Sequence, residues 1–253
     1  MMTIGGTAHI LMIMASIIIG VASFFVVKKV NEKTQNIIIF CLTGICVFGI
    51  FFLHGTHYFT RFDIENLMVQ MLQVCNFNFI LLPLCLFKRN ELARQYLFFF
   101  SMPMALSTFV TFPSDIEESM WYSVECLTFW INHFLIALIP ILMLATRRFK
   151  PRIEYVWKVV LSIFVYFLIA FIGNFILNGF SIMGPHNHSY TMEAGSIMIL
   201  EPLFKLIPIP FVYLLPVLLV LSAIYYGVAK LFHKYNTHGN FGCVIKLKRG
   251  GEK

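Results

Sequence analysis

Polar side chains stand inside otherwise apolar stretches of this chain, and these are the residues whose types and spacing could do chemistry. They are Gln73, Cys75, Asn76 and Asn78 in one stretch, Asn132 and His133 in a second, and Asn174 and Asn178 in a third. A buried imidazole or amide is costly unless it is hydrogen-bonded, so such groups in a membrane usually face the interior of a helix bundle. An amide there either bonds a neighbouring helix or contacts a bound molecule, and the residues alone leave both roles open.

Helical spacing places several of these side chains on shared faces. Gln73 and Asn76 are three residues apart, and His133 follows Cys126 by seven residues, so each pair would lie on one side of a helix. A transition metal needs several converging histidine, cysteine or carboxylate ligands, and no single helix carries such a set. Glycine-rich phosphate loops and the nucleophile elbow of serine hydrolases do not occur in the sequence. We therefore predict neither a metal site nor a cofactor.

The composition places these residues in a membrane protein. The chain has 253 residues, of which 59% are hydrophobic and 12% are charged. A soluble globular domain is about 45–50% apolar and about 25% charged, so a water-soluble fold is excluded for most of the chain. The six cysteines lack the paired spacing of a zinc site or a disulfide framework.

About seven apolar stretches are long enough to cross a bilayer, since roughly 20 helical residues span the hydrocarbon core. The predicted spans are Thr7–Val27, Ile37–His54, Leu67–Phe87, Tyr96–Pro113, Met120–Ala145, Val156–Leu177 and Leu206–Ala229. The alternating pattern of barrel strands is absent, and a helix satisfies its own backbone hydrogen bonds in lipid. The predicted fold is therefore an all-α, polytopic bundle in residues 1–236, followed by a basic, flexible tail in residues 237–253.

The basic residues give the predicted bundle an orientation. With seven crossings, 17 lysines and arginines fall in the linkers and tail of one side, whereas Arg61 and Lys205 fall on the other side. By the positive-inside rule the N-terminus is outside and the C-terminus is cytoplasmic. The net charge of +7 then belongs to a surface that faces anionic lipid, and no nucleic-acid partner is predicted. The longest outer linker, Asn178–Lys205, is predicted to be a partly ordered loop.

Four short segments, spread over nearly the whole chain, carry a family resemblance. They are Gly6–Leu11, Leu72–Asn76, Trp130–His133 with the later Pro140, and Asn174 with the later Pro208–Tyr213. Their order and spacing resemble the YwaF-like family of bacterial integral membrane proteins, which is similar to a eukaryotic seven-helix membrane acyltransferase acting on phospholipids. The chain departs from the family pattern at Gln73, where the family usually has histidine, and at Asn76, where it usually has aspartate.

The resemblance implies an acyltransferase of the cell membrane with membrane phospholipids as its partners. Cys75 would be the nucleophile, because a thiolate can attack an ester and hold the acyl chain as a thioester. His133 would be the base that removes the thiol proton. The remaining predicted site residues would support substrate binding or the developing oxyanion. They are Gln73, Asn76, Asn132 and Asn174.

Two other functions remain open on the sequence. In a small-solute transporter the same amides and imidazole would line a path through the bundle, although no internal repeat and no charged pair at the membrane midplane accompany them. The other alternative is a membrane protein that performs no chemistry. A transporter predicts that Cys75→Ser is nearly silent and that solute flux, not lipid composition, depends on the polar residues.

Overall fold

In a computed structural model the chain is almost entirely helical over the residues that are described, which are 6–60, 72–87, 90–109, 122–180, 185–195 and 200–237. These ranges contain no β-strand. Five helices within them are long and apolar enough to cross a membrane: Thr7–Lys29, Glu32–Phe52, Cys126–Ala145, Ile153–Gly179 and Val212–Lys234. The prediction of an all-α protein with several membrane-spanning helices is therefore confirmed.

The helices are numbered here in chain order. They are α1 (Thr7–Lys29), α2 (Glu32–Thr60), α3 (Asn78–Phe87), α4 (Glu91–Tyr96), α5 (Met102–Ser107), α6 (Val124–Ala145), α7 (Val156–Phe180), α8 (Leu200–Leu206) and α9 (Leu215–Thr237). Three of them begin at a capping side chain. Asn31 accepts a hydrogen bond from the Thr34 N–H, Asn90 accepts one from the Ala93 N–H, and Ser123 accepts one from the Cys126 N–H.

Helix α6 is the most buried of the long helices and forms the centre of the bundle. The helices α1, α2 and α5 pack against it, and α2 makes the most extensive contact of the three. Its inner side chains, such as Ile136, Ile139 and Leu142, are buried in the main hydrophobic core. In contrast, α1 exposes apolar side chains such as Ile17 and Ile18. A helix that is apolar on its outer face as well is typical of one that contacts lipid.

The predicted third span is wrong in the described part of its first half. Residues 72–77 form successive turns, and α3 begins only at Asn78. The Asn78 side chain donates to the carbonyl oxygens of Val74 at 3.3 Å and Cys75 at 3.0 Å, and such local bonds compete with helical ones. The ten residues of α3 measure about 15 Å, which is half of the roughly 30 Å hydrocarbon core. The helix α3 alone is therefore too short to cross the membrane.

The predicted fourth span is helical but not regular. The chain is helical from Glu91 to Ser107, and a π-helical turn, Leu97–Ser101, joins α4 to α5. All five residues of this turn are buried. A π-helical turn inside an α-helix is rare and is often found at a functional site. Pro113, the predicted end of the span, lies outside the described residues.

Three of the basic linkers converge at one end of the bundle. Arg148, which follows α6, donates to the side-chain oxygens of Asn36 at 2.8 Å and Gln35 at 2.9 Å at the start of α2. Arg94 of α4 donates to the carbonyl oxygen of Arg148 at 3.1 Å. Burial lowers the pKa of the Arg148 guanidinium from its ordinary value, while Glu32 opposes that shift. The linkers after α1, α3 and α6 therefore share one side, as the charge pattern predicted.

At the same end, the fully buried Gln95 joins two of these linkers. Its Nε2 donates to the Glu91 carboxylate and to the Lys150 carbonyl oxygen, each at 2.8 Å, and its Oε1 accepts from the Arg152 N–H at 3.2 Å. We expect Gln95→Leu to lower the free energy of unfolding by about 3 kcal/mol, because it leaves buried partners without hydrogen bonds. Unfolding in mixed micelles measures this loss. Lys33→Leu, at an exposed side chain near the same end of the bundle, is the control and should change stability by less than about 1 kcal/mol.

The last helix, α9, ends at Thr237, next to the predicted end of the bundle at residue 236. The flexible tail was predicted for residues 237–253, and all of them except Thr237 lie outside the described residues.

Candidate functional site

Residues 72–77, which we call the cysteine turn, hold Cys75 inside the bundle. The Cys75 thiol is free and half-buried. The Cys75 carbonyl oxygen accepts from the backbone N–H of Asn78 at 3.3 Å as well as from the Asn78 side chain. Cys75 is close enough to Cys46 of α2 and Tyr166 of α7 to interact electrostatically with both. In a membrane, non-helical backbone is tolerated only where protein or a cavity surrounds it, and the cysteine turn meets that condition.

The first residue of the cysteine turn is tied to α7 and to the 185–195 loop. The carbonyl oxygen of Leu72 accepts from the Tyr166 hydroxyl at 2.7 Å and from the Ser189 hydroxyl at 2.6 Å, and those two hydroxyls are 3.0 Å apart. The Leu72 side chain packs against α7 at Gly173, where an added Cβ would lie only 2.7 Å from Leu72 Cδ1. Glycine is therefore needed at this point for the close approach of α7.

Asn174, a predicted site residue, holds the 185–195 loop. It is fully buried, and its side chain donates to the His188 carbonyl oxygen at 2.9 Å and the Thr191 hydroxyl at 2.8 Å. Its Oδ1 accepts from the His188 N–H at 3.0 Å, and Asn178 bonds the backbone of His186 in the same manner. Burial, and then the neighbouring His186 ring, lower the pKa of His188. This loop is ordered by its hydrogen bonds, so Asn174 positions the loop that reaches the cysteine turn.

His133 lies on α6 with its basic nitrogen defined by one hydrogen bond. Its Nδ1 is 2.7 Å from the Phe129 carbonyl oxygen. The centroids of the His133 and Phe129 rings are 4.1 Å apart. A carbonyl oxygen only accepts, so Nδ1 carries the proton and Nε2 retains a lone pair. His133 is 6% exposed. The side chain is thus a buried neutral imidazole in the tautomer that a general base requires.

Asn132, the neighbour of His133, faces α2. Its side chain is buried, and its Oδ1 has no hydrogen-bond partner among the described residues. Its backbone carbonyl oxygen lies 3.8 Å from the Cys46 sulfur, which donates a weak hydrogen bond to it. On the same face of α2, Gly49 contacts the Asn132 amide so closely that an added Cβ would overlap Oδ1. The position of Asn132 therefore depends on a residue without a side chain at Gly49.

Gly49→Ala is expected to lower the free energy of unfolding by about 2 kcal/mol, because the methyl group forces Asn132 or α2 to move. Gly44→Ala is the matched control on the same helix, since an added Cβ there has no neighbour within 4 Å. That substitution should instead leave stability unchanged or raise it slightly, because alanine favours a helix. Unfolding of both variants in the same micelles measures the difference, and equal effects would contradict this account of the packing.

The structure brings only some of the predicted site residues together. Asn76 Nδ2 donates to Gln73 Oε1 at 3.1 Å, so these two side chains are neighbours, as predicted. A turn brings them together, however, and not the shared face of a helix. Cys75 and His133 are not hydrogen-bonded to each other, and Cys46 lies between their segments because it contacts Asn132 and interacts with Cys75. The described part of the site is therefore a thiol on the cysteine turn and an imidazole on α6, with Cys46 of α2 near both segments.

Three residues of this arrangement were not predicted as site residues. Tyr166 and Ser189 fix the cysteine turn, and Cys46 separates it from α6. The signal for Tyr166 was a phenol within an apolar span, whereas Cys46 resembles ordinary packing in sequence. Ser189 is 117 residues from Leu72, and no local pattern could connect them. Over the described ranges, no three histidine, cysteine or carboxylate side chains converge in a way that could hold a metal ion.

The sequence matches the model of the TMEM164 family over residues 4–226. No curated protein sequence and no solved structure matches the chain. The matched range contains the cysteine turn, His133, Asn174 and the 185–195 loop, and it includes most of α9. Because the family model covers most of the 253 residues, the chain belongs to the TMEM164 family.

Proposed function

We propose that this protein is an integral membrane acyltransferase that moves acyl chains between membrane phospholipids through a thioester on Cys75. The observation that carries the proposal is the cysteine turn, which presents a free, half-buried thiol on non-helical backbone that is tied to α7 and to the 185–195 loop. Interrupting a helix in lipid is costly, so an interruption is retained where it serves a site. A lipid ester can reach such a site without leaving the membrane.

The reaction would proceed in two balanced steps. The Cys75 sulfur attacks the carbonyl carbon of the donor ester, and His133 Nε2 takes the thiol proton. The ester C–O bond breaks, the lysophospholipid oxygen leaves with the proton from His133, and the acyl chain stays on sulfur. The hydroxyl of a second lysolipid then attacks the thioester and gives its proton to His133. The thiolate leaves, and His133 returns the proton to it.

The amides beside these two residues would stabilise the oxyanion of each step. Asn132 is adjacent to His133, and Gln73 and Asn76 belong to the cysteine turn. Amide N–H groups aimed at a developing oxyanion are a common catalytic device. The proposed proton transfer requires Cys75 and His133 to come within hydrogen-bond distance when substrate binds. Catalytic hydrogen bonds that are long without substrate commonly tighten in its complex.

We also propose the complete topology, with seven crossings in the cell membrane, the N-terminus outside and the C-terminus in the cytoplasm. In this proposal the five long helices are supplemented by α3 and by the α4–α5 segment, which lie in the third and fourth predicted crossings. The convergence of Arg94 and Arg148 at one end supports a shared cytoplasmic side for their linkers.

We infer in addition that the TMEM164 family is related to the bacterial YwaF-like family. The four resembling segments lie within the range that the family model matches, and they include Cys75 and His133. The differences at Gln73 and Asn76 would then be changes at the edge of a shared site.

A transporter is the second candidate, and the interruption before α3 favours it as well. Discontinuous helices near the membrane midplane bind substrates and ions in many transporters. In that case Cys75→Ser should leave solute flux almost unchanged, and no acyl group should become attached to the protein.

The test uses purified protein in vesicles that contain phosphatidylcholine with an isotope-labelled acyl chain and an unlabelled lysophospholipid. We expect labelled acyl chains to appear on the acceptor, and the protein mass to rise by one acyl chain. Hydroxylamine should remove the adduct, and peptide mass spectrometry should place it on Cys75. A folded protein that neither redistributes label nor carries an adduct would refute the acyl-transfer proposal.

A further inference from the structure

Three buried polar atoms on α3, α4 and the π-helical turn have no hydrogen-bond partner among the described residues. They are the Tyr96 hydroxyl, the Ser101 hydroxyl and the Asn78 Oδ1. The three side chains are 5%, 2% and 1% exposed. An unpaired buried polar group costs about 1–3 kcal/mol, and folded proteins seldom leave one without a ligand or ordered water. These atoms therefore mark a position where a polar group binds.

Ring contacts place Tyr96 beside the cysteine turn. The Phe77 ring, at the end of that turn, lies 6.4 Å from the Tyr96 ring and 5.6 Å from the Tyr166 ring. Tyr96 also interacts electrostatically with Tyr166, whose hydroxyl binds the Leu72 carbonyl oxygen. Phe77 thus contacts both the unpaired phenol of Tyr96 and the ring of Tyr166, which binds the cysteine turn.

The π-helical turn brings the second hydroxyl toward the first. Tyr96 immediately precedes this turn and Ser101 is its last residue, so the two are five residues apart. In an α-helix such a spacing points side chains in different directions. In a π-helical turn the hydrogen bond runs from residue i to residue i+5, which places the fifth residue nearly above the first. The irregular turn therefore brings Tyr96 and Ser101 toward the same side of the helix.

We infer that Tyr96 and Ser101 donate hydrogen bonds to the ester carbonyl oxygens of a glycerophospholipid bound beside the cysteine turn. Asn78 Oδ1, an acceptor, fits the free hydroxyl of the lysolipid that would receive the acyl chain. The two donors thus match the ester carbonyl oxygens of the acyl donor, and the one acceptor matches the hydroxyl of the lysolipid. The inference rests on the proposed function in taking these lipids as ligands, but its test measures binding and not catalysis.

The test compares dioleoylphosphatidylcholine with its dialkyl ether analogue, which lacks both carbonyl oxygens. The full chain is equilibrated in micelles that contain equal amounts of the two lipids, and native mass spectrometry counts the lipid that each molecule retains. We expect the wild type to retain the diacyl lipid about tenfold over the dialkyl lipid, with each hydrogen bond contributing about threefold. Tyr96→Phe and Ser101→Ala should each lower the preference by about threefold.

Stability separates this binding role from a structural one. Neither hydroxyl has a protein partner in the described structure, so removing it should not lower the melting temperature of the lipid-free protein. Tyr226→Phe, at an exposed phenol on α9, is the matched control and should keep the tenfold preference. Equal retention of the two lipids by the wild type would overturn the inference. An unchanged preference in both Tyr96→Phe and Ser101→Ala would also overturn it and would assign the two hydroxyls to ordered water.

The outcome is also distinguishable from failure of the proposed function. Cys75→Ala should retain the diacyl preference, because it leaves both hydroxyl donors in place. A diacyl preference that depends on Tyr96 in a wild type without acyl transfer would refute the enzyme and keep the lipid site. Acyl transfer without any diacyl preference would refute the lipid site and keep the enzyme.

Discussion

Replacing Cys75 with alanine should reduce acyl transfer between phospholipids by at least about a thousandfold, because the reaction loses its nucleophile. The protein-bound acyl adduct should disappear completely. Cys75→Ser should behave almost as severely, since a serine hydroxyl is a much poorer nucleophile than a thiolate at neutral pH. Transfer of labelled chains in vesicles and the intact mass of each variant measure the two effects.

The control for this substitution is Cys41→Ala. Cys41 is an exposed, free cysteine on α2, and its removal should change neither transfer nor adduct. Folding of Cys75→Ala can be checked independently, because the hydrogen bonds of the cysteine turn use the backbone of Cys75 and not its thiol. A correctly folded Cys75→Ala variant that transfers acyl chains at the wild-type rate would eliminate Cys75 as the nucleophile.

His133→Gln is expected to lower the rate of acyl transfer by about 10²- to 10⁴-fold, which is the usual contribution of a general base. Glutamine has a similar length and can still donate to the Phe129 carbonyl oxygen, but it has no basic nitrogen. The thiol of Cys75 stays in place, so a slow adduct should still form. Single-turnover measurements of adduct formation and of its discharge to lysolipid would show both steps slowed, because His133 moves the proton in each.

His233→Gln, at an exposed histidine on α9, is the corresponding control and should leave both rates unchanged. If His133→Gln slowed neither step, the base would have to be another group. If it slowed adduct formation alone, His133 would act only on the thiol and not on the lysolipid hydroxyl.

The helical membrane character of this chain follows from composition and hydropathy alone, because lipid permits few alternatives to a helix for a spanning segment. The start of α1, the burial of His133 on α6 and the shared side of the basic linkers all agree with the sequence pattern. Each of these features depends on residues that are close in sequence or on the distribution of charge, and both can be determined from the sequence alone.

The cysteine turn was missed because a span is assigned on hydropathy over about 20 residues, and the polar residues inside it were placed on the faces of a helix. What breaks the helix is the side chain of Asn78, which bonds the Val74 and Cys75 carbonyl oxygens. A sequence pattern assigned that asparagine to contacts between helices. The prediction did not take into account that an asparagine side chain can compete with the backbone hydrogen bonds of a helix.

The partners of the candidate site were also beyond a sequence argument, since they come from distant segments. Gly49 looked like an ordinary helix residue until its contact with Asn132 was known. Asn174 was predicted to support the substrate, and its three hydrogen bonds instead go to the 185–195 loop. Which helices are neighbours decides such roles, and hydropathy carries no information about it.

The bond between Ser189 and the Leu72 carbonyl oxygen has a consequence for biosynthesis. The two residues are 117 positions apart, so the cysteine turn cannot gain this support until the 185–195 loop has left the ribosome. Chains are made from the N-terminus at about 5–20 residues per second, so the segment carrying Cys75 waits roughly 6–23 s for its last partner. Newly inserted chains therefore hold an unfinished site, and a chain interrupted before residue 185 would keep the thiol but lack the contact that fixes the turn.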